Sequence, residues 1–394
     1  MLSVRDIWSS WITVSSIWSS FTGFISSGPA STLVIEQSPD NVNYTGFAID
    51  VFYGIQTWYD QDTGLYENIG WWDSANVITA FADFCLLDMS DAVDLGIPGV
   101  LNNTYYNAQG YHDLYLNNAY DDEGWWAMAW IRAYDVTQNP DYLSMAESIF
   151  VDMENGTDSV CGGGTWWMKD RQYKNAIANE LYLDVAASLA NRVSDPAAKQ
   201  DYYDIAYNQF YWFINSGMIN DEGLVNDGLT VNDDGSCTNN GQPTWTYNQG
   251  VILGGAVELV RAGANASEIY PPVISIASAA INLLTTDGIL YDSCEPSCDS
   301  NSILFKGIFM RNLMYLYNAI TGVFSPVGDE YSSESETFSS FILYNADTIW
   351  NNDRFPENNT FGTEWAGPPA NADAATTNAG LETLLAALDV KIHI

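Results

Sequence analysis

Hydrophobic positions recur along this chain with a helical period and almost nowhere with a period of two. That period predicts helices over 41–59, 74–89, 94–108, 123–137, 141–153, 175–192, 196–214, 248–261, 267–284, 306–320, 335–350 and 377–388. Val, Ile and Thr never alternate with polar residues over a run long enough to predict a sheet. The helices are of two kinds. Segments such as Ala176-Ile177-Ala178-Asn179-Glu180-Leu181-Tyr182-Leu183 and Val251-Ile252-Leu253-Gly254-Gly255-Ala256-Val257 are poor in surface residues, whereas Asp141-Tyr142-Leu143-Ser144-Met145-Ala146-Glu147 carries a polar face. A helix apolar on nearly all sides must lie inside the protein. An inner ring of buried helices wrapped by an outer amphipathic ring explains the alternation, so the expected architecture is an all-α (α/α)6 barrel of six helical hairpins.

Alternate helices of such a barrel start at the same end, which makes the loops entering the inner helices converge on one mouth. Those loops are alike in chemistry. They contain Trp71-Trp72-Asp73-Ser74-Ala75-Asn76, Tyr120-Asp121-Asp122-Glu123-Gly124-Trp125-Trp126, the stretch from Cys161-Gly162-Gly163-Gly164 to Lys174-Asn175, Thr244-Trp245-Thr246-Tyr247-Asn248-Gln249 and Asn301-Ser302-Ile303-Leu304-Phe305-Lys306. Asp121 and Asp122 stand in front of the run Trp125-Trp126-Ala127-Met128-Ala129-Trp130-Ile131, at the rim of a buried helix. Asp is a favoured N-cap and acids suit a first helical turn, so the triplet alone only starts a helix. The surrounding rings make it a candidate site.

Composition narrows the ligand. Fifty acidic against 12 basic residues give a formal charge of -38, which argues against nucleic acid and anionic membrane surfaces. The 15 Trp and 24 Tyr supply flat faces with polar edges, suited to a neutral sugar. Candidates for stacking are Trp72, Trp125, Trp126, Trp166, Trp167 and Tyr247, each of which could equally be core packing. Candidates for holding hydroxyl groups are Asp73, Asn118, Asp170, Asn248 and Gln249, with helix capping as the plain alternative. Lys169, Lys174 and Lys306 stand out among so few cations, and ion pairing is the default for each. With only His112 and His393, neither a zinc site nor a histidine-based triad has support in the spacing. Asn232-Asp233-Asp234-Gly235-Ser236 lacks the full calcium-loop pattern, so no metal or cofactor is expected.

Several features lean towards an extracellular protein. Asn43, Asn102, Asn155, Asn265 and Asn358 each begin an N-glycosylation triplet. Residues 1–35 read as a separate N-terminal segment resembling a degenerate secretory signal, with Arg5, apolar residues from Ile7 to Ile25 and small residues at 26–30, although Asp6 and interleaved serines spoil the pattern. Residues 36–394 read as one domain. No later run of about 18 apolar residues predicts a membrane span. Cys294 and Cys298 can close a small loop and Cys161 and Cys237 can pair with each other, but spacing settles neither; Cys85 reads as a buried thiol.

Three segments carry a resemblance: Asp121-Asp122-Glu123-Gly124-Trp125-Trp126; Gly162-Gly163-Gly164 followed by Trp166-Trp167 and Lys174-Asn175-Ala176; and Thr246-Tyr247-Asn248-Gln249-Gly250. In this order they resemble glycoside hydrolase family 76, the α-1,6-mannanase family of bacteria and fungi, over roughly residues 40 to 390. The resemblance implies an (α/α)6 barrel, endo-hydrolysis of α-1,6-linked mannan backbones with retention of configuration, and no metal. Its adjacent Asp pair maps onto Asp121 as nucleophile and Asp122 as general acid/base. Some fungal relatives are cell-wall proteins with a lipid-anchor tail and a transglycosidase role, whereas the tail Leu388-Asp389-Val390-Lys391-Ile392-His393-Ile394 is short and charged. The expected function is therefore a secreted, monomeric, retaining endo-α-1,6-mannanase acting on mannan. The alternatives are a cell-wall transglycosidase, or a wall protein that binds glycan without hydrolysing it. A sugar epimerase would need His112 beside the Asp pair.

Overall fold

The computed structural model describes residues 42–321 and 325–393, so the predicted N-terminal segment, 1–35, lies outside the described residues. In chain order the helices are α1 (Tyr44–Gln56), α2 (Trp71–Leu87), α3 (Met89–Asp94), α4 (Ile97–Asn107), α5 (Tyr120–Thr137), α6 (Pro140–Glu154), α7 (Ala176–Arg192), α8 (Pro196–Asn215), α9 (Thr246–Arg261), α10 (Ala266–Leu283), α11 (Phe305–Ile320), α12 (Ser332–Thr348) and α13 (Ala374–His393). The inner ring runs α2, α5, α7, α9, α11, α13, each packed on the next, and α13 returns to α2 and closes it. Around it α4 packs on α2, α6 on α5, α8 on α7, α10 on α9 and α12 on α11, while α1 covers α13.

Burial follows this division. Every residue of α7 from Ala176 to Ala190 and of α9 from Thr246 to Leu259 is buried. By contrast α8 buries only Ala206, Gln209, Phe210 and Phe213. The predicted helices all appear, and α3 and short antiparallel strands are added at loops. The largest sheet has three strands, Lys174–Asn175, Gly228–Val231 and Cys237–Asn239, with Asn175 opposite Gly228 and Leu229 opposite Asn239. Such strands are too short to leave an alternating pattern in the sequence. No helix among the described residues is long and apolar enough to cross a membrane.

Charged groups inside the ring are paired, some towards the C-terminal ends of the inner helices and one set about midway along them. Arg192 donates to Asp135 at 2.6 Å and to Glu258 at 2.9 Å, Arg132 pairs with Asp83, and Arg311 pairs with Glu382 and donates to Asn76 at 2.8 Å. Buried charges require such partners. The disulfides Cys161–Cys237 and Cys294–Cys298 are both formed, and Cys85 is buried with its thiol pushed up to about 12 by that burial. All five asparagines of the glycosylation triplets are exposed.

Glycine allows close approach between inner helices. A Cβ on Gly250 would lie 2.7 Å from Phe309 Cα and 3.2 Å from the Ile308 carbonyl oxygen, both backbone atoms of α11. Backbone cannot turn aside as a flexible side chain can. We expect Gly250→Ala to destabilise the fold by about 1–3 kcal/mol, read as a lower midpoint in urea unfolding. An unchanged midpoint would mean that α9 and α11 are not this close.

Candidate active site

The mouth is built from the first turns of five inner helices. A groove of about 550 Å³ opens there, lined by Trp72 of α2, Asp121, Asp122 and Trp125 of α5, Asn175 before α7, Tyr247 of α9 and Phe305 of α11. Ala119, Trp167, Met168, Tyr173, Asp227, Trp245, Asp299, Asn301 and Ser302 complete its walls. Its aromatic rings form a connected series. Trp125 stacks on Trp72 at 5.7 Å, Trp72 reaches Phe305 at 6.4 Å, and Phe305 stacks on Tyr247 at 3.7 Å and meets Trp245 at 5.6 Å. Among the described residues no Lys or Arg lines the groove, and four of its residues are Asp. Helix N-termini compensate part of that negative charge.

The acids lie one turn further into the helix than the pattern predicts. Tyr120 opens α5 because Ala119 stays extended and bridges to Met168, while the Tyr120 N–H donates to the Trp167 carbonyl at 2.9 Å. Asp121, Asp122 and Glu123 therefore occupy the first turn. Asp121 accepts the Trp167 indole N–H at 2.9 Å and the Asp122 backbone N–H at 3.0 Å. Asp122 accepts the Asn117 side-chain amide at 2.6 Å. Burial and the neighbouring Asp122 push the Asp121 carboxyl well up, against those two donors. Burial raises Asp122 to about 6, with Asn117 pulling the other way. Glu123 is fully buried, which is unusual for a first-turn acid; burial pushes it up to about 8 although Lys169 stands 2.9 Å away.

Of the residues singled out by sequence, Asp121, Asp122, Trp72, Trp125, Trp167 and Tyr247 line the groove together. The others lie elsewhere, for reasons their partners supply. Trp126 is buried between Tyr115 at 4.8 Å and Trp130 at 5.5 Å, as core. Trp166 is buried and donates to Asp158 at 2.7 Å. Lys174 is fully buried, donating to Asp158 and to the carbonyls of Val160, Gly163 and Gly164 at 2.7–2.9 Å, so it pins the glycine loop. Gly164 is required there because a Cβ would lie 2.2 Å from the Trp212 ring and because its φ is +81°. Gln249 ties down Val225 through both N–H and carbonyl, each at 2.8 Å. Lys306 donates to the Thr363 carbonyl and to Glu295, both at 2.8 Å. Asp73 is buried and accepts the Gly70 N–H at 2.6 Å, Asn248 is buried with neither side-chain polar atom bonded, and Asn118 and Asp170 are exposed outside the lining. His112 packs on Trp71 at 4.5 Å and does not line the groove.

Sequence reasoning missed Tyr173, Asn175, Asp227, Trp245, Asp299, Asn301, Ser302 and Phe305. Asp227 reaches the site from the connection between α8 and α9, where Tyr173 donates to it at 2.5 Å and Asn240 donates to Tyr173 at 2.7 Å. No local pattern marks that position. Trp245, Asn301 and Phe305 do belong to the loops that converge, and their place before an inner helix was the available signal.

The fold and groove together define a helical barrel with an acidic, aromatic-lined mouth. The chain belongs to the family described as Glycosyl hydrolase family 76, whose family model matches residues 40–392. Among curated relatives, mannan endo-1,6-alpha-mannosidase DFG5 of Saccharomyces cerevisiae is 27% identical over 221 residues, covering 52% of this chain and 46% of that protein. Mannan endo-1,6-alpha-mannosidase DCW1 of the same organism is 25% identical over 283 residues, covering 67% and 61%. The chain thus spans about half to three-fifths of the length of these two curated relatives. Among solved structures, an inactive variant of the alpha-1,6-mannanase of Salegentibacter sp. HEL1_6, with two consecutive aspartates changed to asparagine and alpha-1,6-mannotriose bound, matches with TM-score 0.75 at 23% identity, covering 88% of this chain and 100% of that one. Dfg5 from Chaetomium thermophilum, in complex with glucosamine, matches with TM-score 0.71 at 18% identity, covering 88% and 90%. These likenesses establish the barrel fold.

Burial also fixes the sign of the pH dependence of stability. It raises Asp122 to about 6, Asp184 and Glu382 to about 7, and Glu123 and Asp353 to about 8. A carboxyl raised on folding binds its proton more tightly in the native state, so its contribution is present below about pH 4 and is lost as pH rises through 6–8. Glu258 runs the other way: burial raises it, Arg192 and Arg261 overcome that to about 2, and its effect is confined to strongly acid pH. We expect the thermal midpoint at pH 5 to exceed that at pH 8.5 by roughly 5 °C or more in differential scanning calorimetry. A flat or reversed trend would show that these carboxyls are not desolvated.

Proposed function

We propose that the chain is a retaining endo-α-1,6-mannanase, hydrolysing α-1,6-linked mannan backbones with Asp121 as nucleophile and Asp122 as general acid/base. The observation that carries this reading is the pair of consecutive carboxyls on the floor of an open aromatic groove, each held by a different donor. Retaining glycosidases need carboxyls about 5–5.5 Å apart, whereas inverting ones leave about 6.5–9.5 Å for a water. Neighbouring residues suit the shorter spacing. The names of the curated relatives and the mannotriose bound to a barrel of this fold support the substrate.

In this reading the two carboxyls share one proton, because burial and mutual repulsion oppose double ionisation. Burial and Asp122 raise Asp121, but both of its oxygens accept hydrogen bonds, which favours its charged form as the attacking group once Asp122 holds the shared proton. Asp122 accepts through one oxygen only, leaving the other for the proton it gives to the leaving oxygen. Asp121 closes on the anomeric carbon as that bond breaks. Asp122 then takes a proton from the water that releases the covalent intermediate. The rings of Trp72, Trp125, Trp167 and Tyr247 offer faces for the neighbouring sugars.

The exposed asparagines of the glycosylation triplets and the two disulfides support a further inference, that the protein works outside the cell or at the wall, with residues 36–394 as its catalytic domain. The test is release of oligosaccharides from debranched α-1,6-mannan by wild type, Asp121→Asn and Asp122→Asn. We expect Asp121→Asn to abolish release and Asp122→Asn to slow it about 10²–10⁴-fold, both remaining folded by circular dichroism. The first-formed product should keep the α configuration by NMR. Unimpaired release by Asp121→Asn, or none by folded wild type, overturns the proposal; products longer than the substrate would assign the same pair to transfer.

A further inference from the structure

Trp167, Met168 and Lys169, consecutive on the loop before α7, lie across the N-terminus of α5. Their backbone is tied there: Tyr120 donates to the Trp167 carbonyl at 2.9 Å and Lys169 donates to the Asn118 carbonyl at 3.0 Å. Their side chains reach the two aspartates by separate routes. Trp167 holds Asp121 directly. Lys169 stands 2.9 Å from Glu123 Oε1 and 2.7 Å from Asp152. Glu123 Oε1 also accepts the Asn117 backbone N–H at 2.9 Å, and the Asn117 amide in turn donates to Asp122 at 2.6 Å. Because Asn117 Oδ1 accepts the Ala119 N–H at 2.8 Å, the amide cannot turn over and present its oxygen to Asp122.

We propose that Glu123 and Lys169 are positioning residues, acting through Asn117 to fix the Asp122 carboxyl and so to set which aspartate of the pair carries the proton. The activity arm of this inference rests on the mannanase reading; the geometry does not. A fully buried carboxyl is a poor choice for a first-turn acid, which gains as much from the helix end while exposed. Glu123 is fully buried, and its Oε2 has no hydrogen-bond partner. A residue that breaks a stability rule next to a groove-lining acid, Asp122, marks a functional constraint.

The groups facing these residues define what Glu123 supplies. Asp122 faces Asp121 in its own turn and Asp73 across on α2, both acids. Glu123 faces Lys169, Asp152 of α6 and Tyr120. With burial holding Glu123 near 8, it is neutral in acid, and what it offers Asn117 is an acceptor rather than a charge. Without that acceptor Asn117 releases Asp122, which loses the donor that holds its carboxyl down.

The test uses Glu123→Met, which keeps volume and removes the acceptor, Glu123→Gln, which keeps a neutral acceptor, and Lys169→Met as a second break in the same chain. The readouts are kcat and KM against pH on α-1,6-mannan, and an NMR titration of ¹³C-labelled Asp carboxyls that needs no turnover. Glu123→Met should lower kcat about 10- to 100-fold with KM within about twofold, and should move the Asp122 titration upward by about half a unit to one unit. Glu123→Gln should recover both. If Glu123→Met does not fold, Lys169→Met, whose side chain is 33% exposed, carries the same expectation. Wild-type titration and kcat in these variants, or equal losses in Met and Gln, overturn the proposal. A wild type inactive on mannan would sink the mannanase reading alone, while the titration still decides the positioning.

Discussion

Two carboxyl groups on consecutive residues, half out of water, repel each other and resist ionisation, and the barrel mouth is organised around tolerating that conflict. The first turn of α5 supplies one answer through its end dipole, and the indole of Trp167 supplies another through a hydrogen bond to Asp121. Both require α5 to begin at a fixed place. That place is set by the strand-like pairing of Ala119 with Met168, which stops the helix from extending backwards. The connection from α6 to α7 therefore helps to set the geometry of the Asp pair, although Asp121 lies more than forty residues from Trp167 in sequence.

The distribution of cations shows the same constraint at the scale of the whole chain. Only 12 Lys and Arg accompany 50 acids. Lys174 is buried under the glycine loop, Lys306 under the segment at 363–365, Arg132 and Arg192 close ion pairs towards the far end of the ring, and Arg311 closes one about midway along it. Each neutralises groups that burial would otherwise penalise. None lines the groove, so burial leaves Asp121, Asp122 and Asp227 with the raised affinity for protons that an acid catalyst needs.

The helices were legible because burial on all sides removes polar residues from inner helices and leaves them on one face of outer ones. Their starts were less legible. The acids were expected in front of α5 and lie inside its first turn, since what ends the extended segment is a bridge to a distant residue and not a local cap. The same limit governs the site. Asp121, Asp122 and Trp72 are marked by neighbours in sequence, and Trp167 by its motif. Asp227, from a connection with no motif, becomes visible only when Tyr173 reaches it. Residue type misled where one chemistry serves two ends: a lysine that binds four oxygens reads alike whether those oxygens belong to a sugar or, as for Lys174, to Asp158 and three carbonyls of the glycine loop.

The groove's polarity restricts what can enter it. A phosphate or carboxylate on a ligand would meet Asp121, Asp122, Asp227 and Asp299 with no guanidinium or ammonium on the lining to receive it. A neutral hexose meets no such barrier, since its hydroxyls can donate to carboxylates and its C–H face can lie on the rings from Trp125 to Tyr247. Those rings come from α2, α5, α9 and α11, which makes the stacking surface as rigid as the closed ring beneath it. A flexible polysaccharide bound there loses freedom that the protein has already given up on folding. On the mannanase reading, the orientation needed for attack by a carboxyl fixed in the first turn of α5 is then set by the barrel and not by the bound chain.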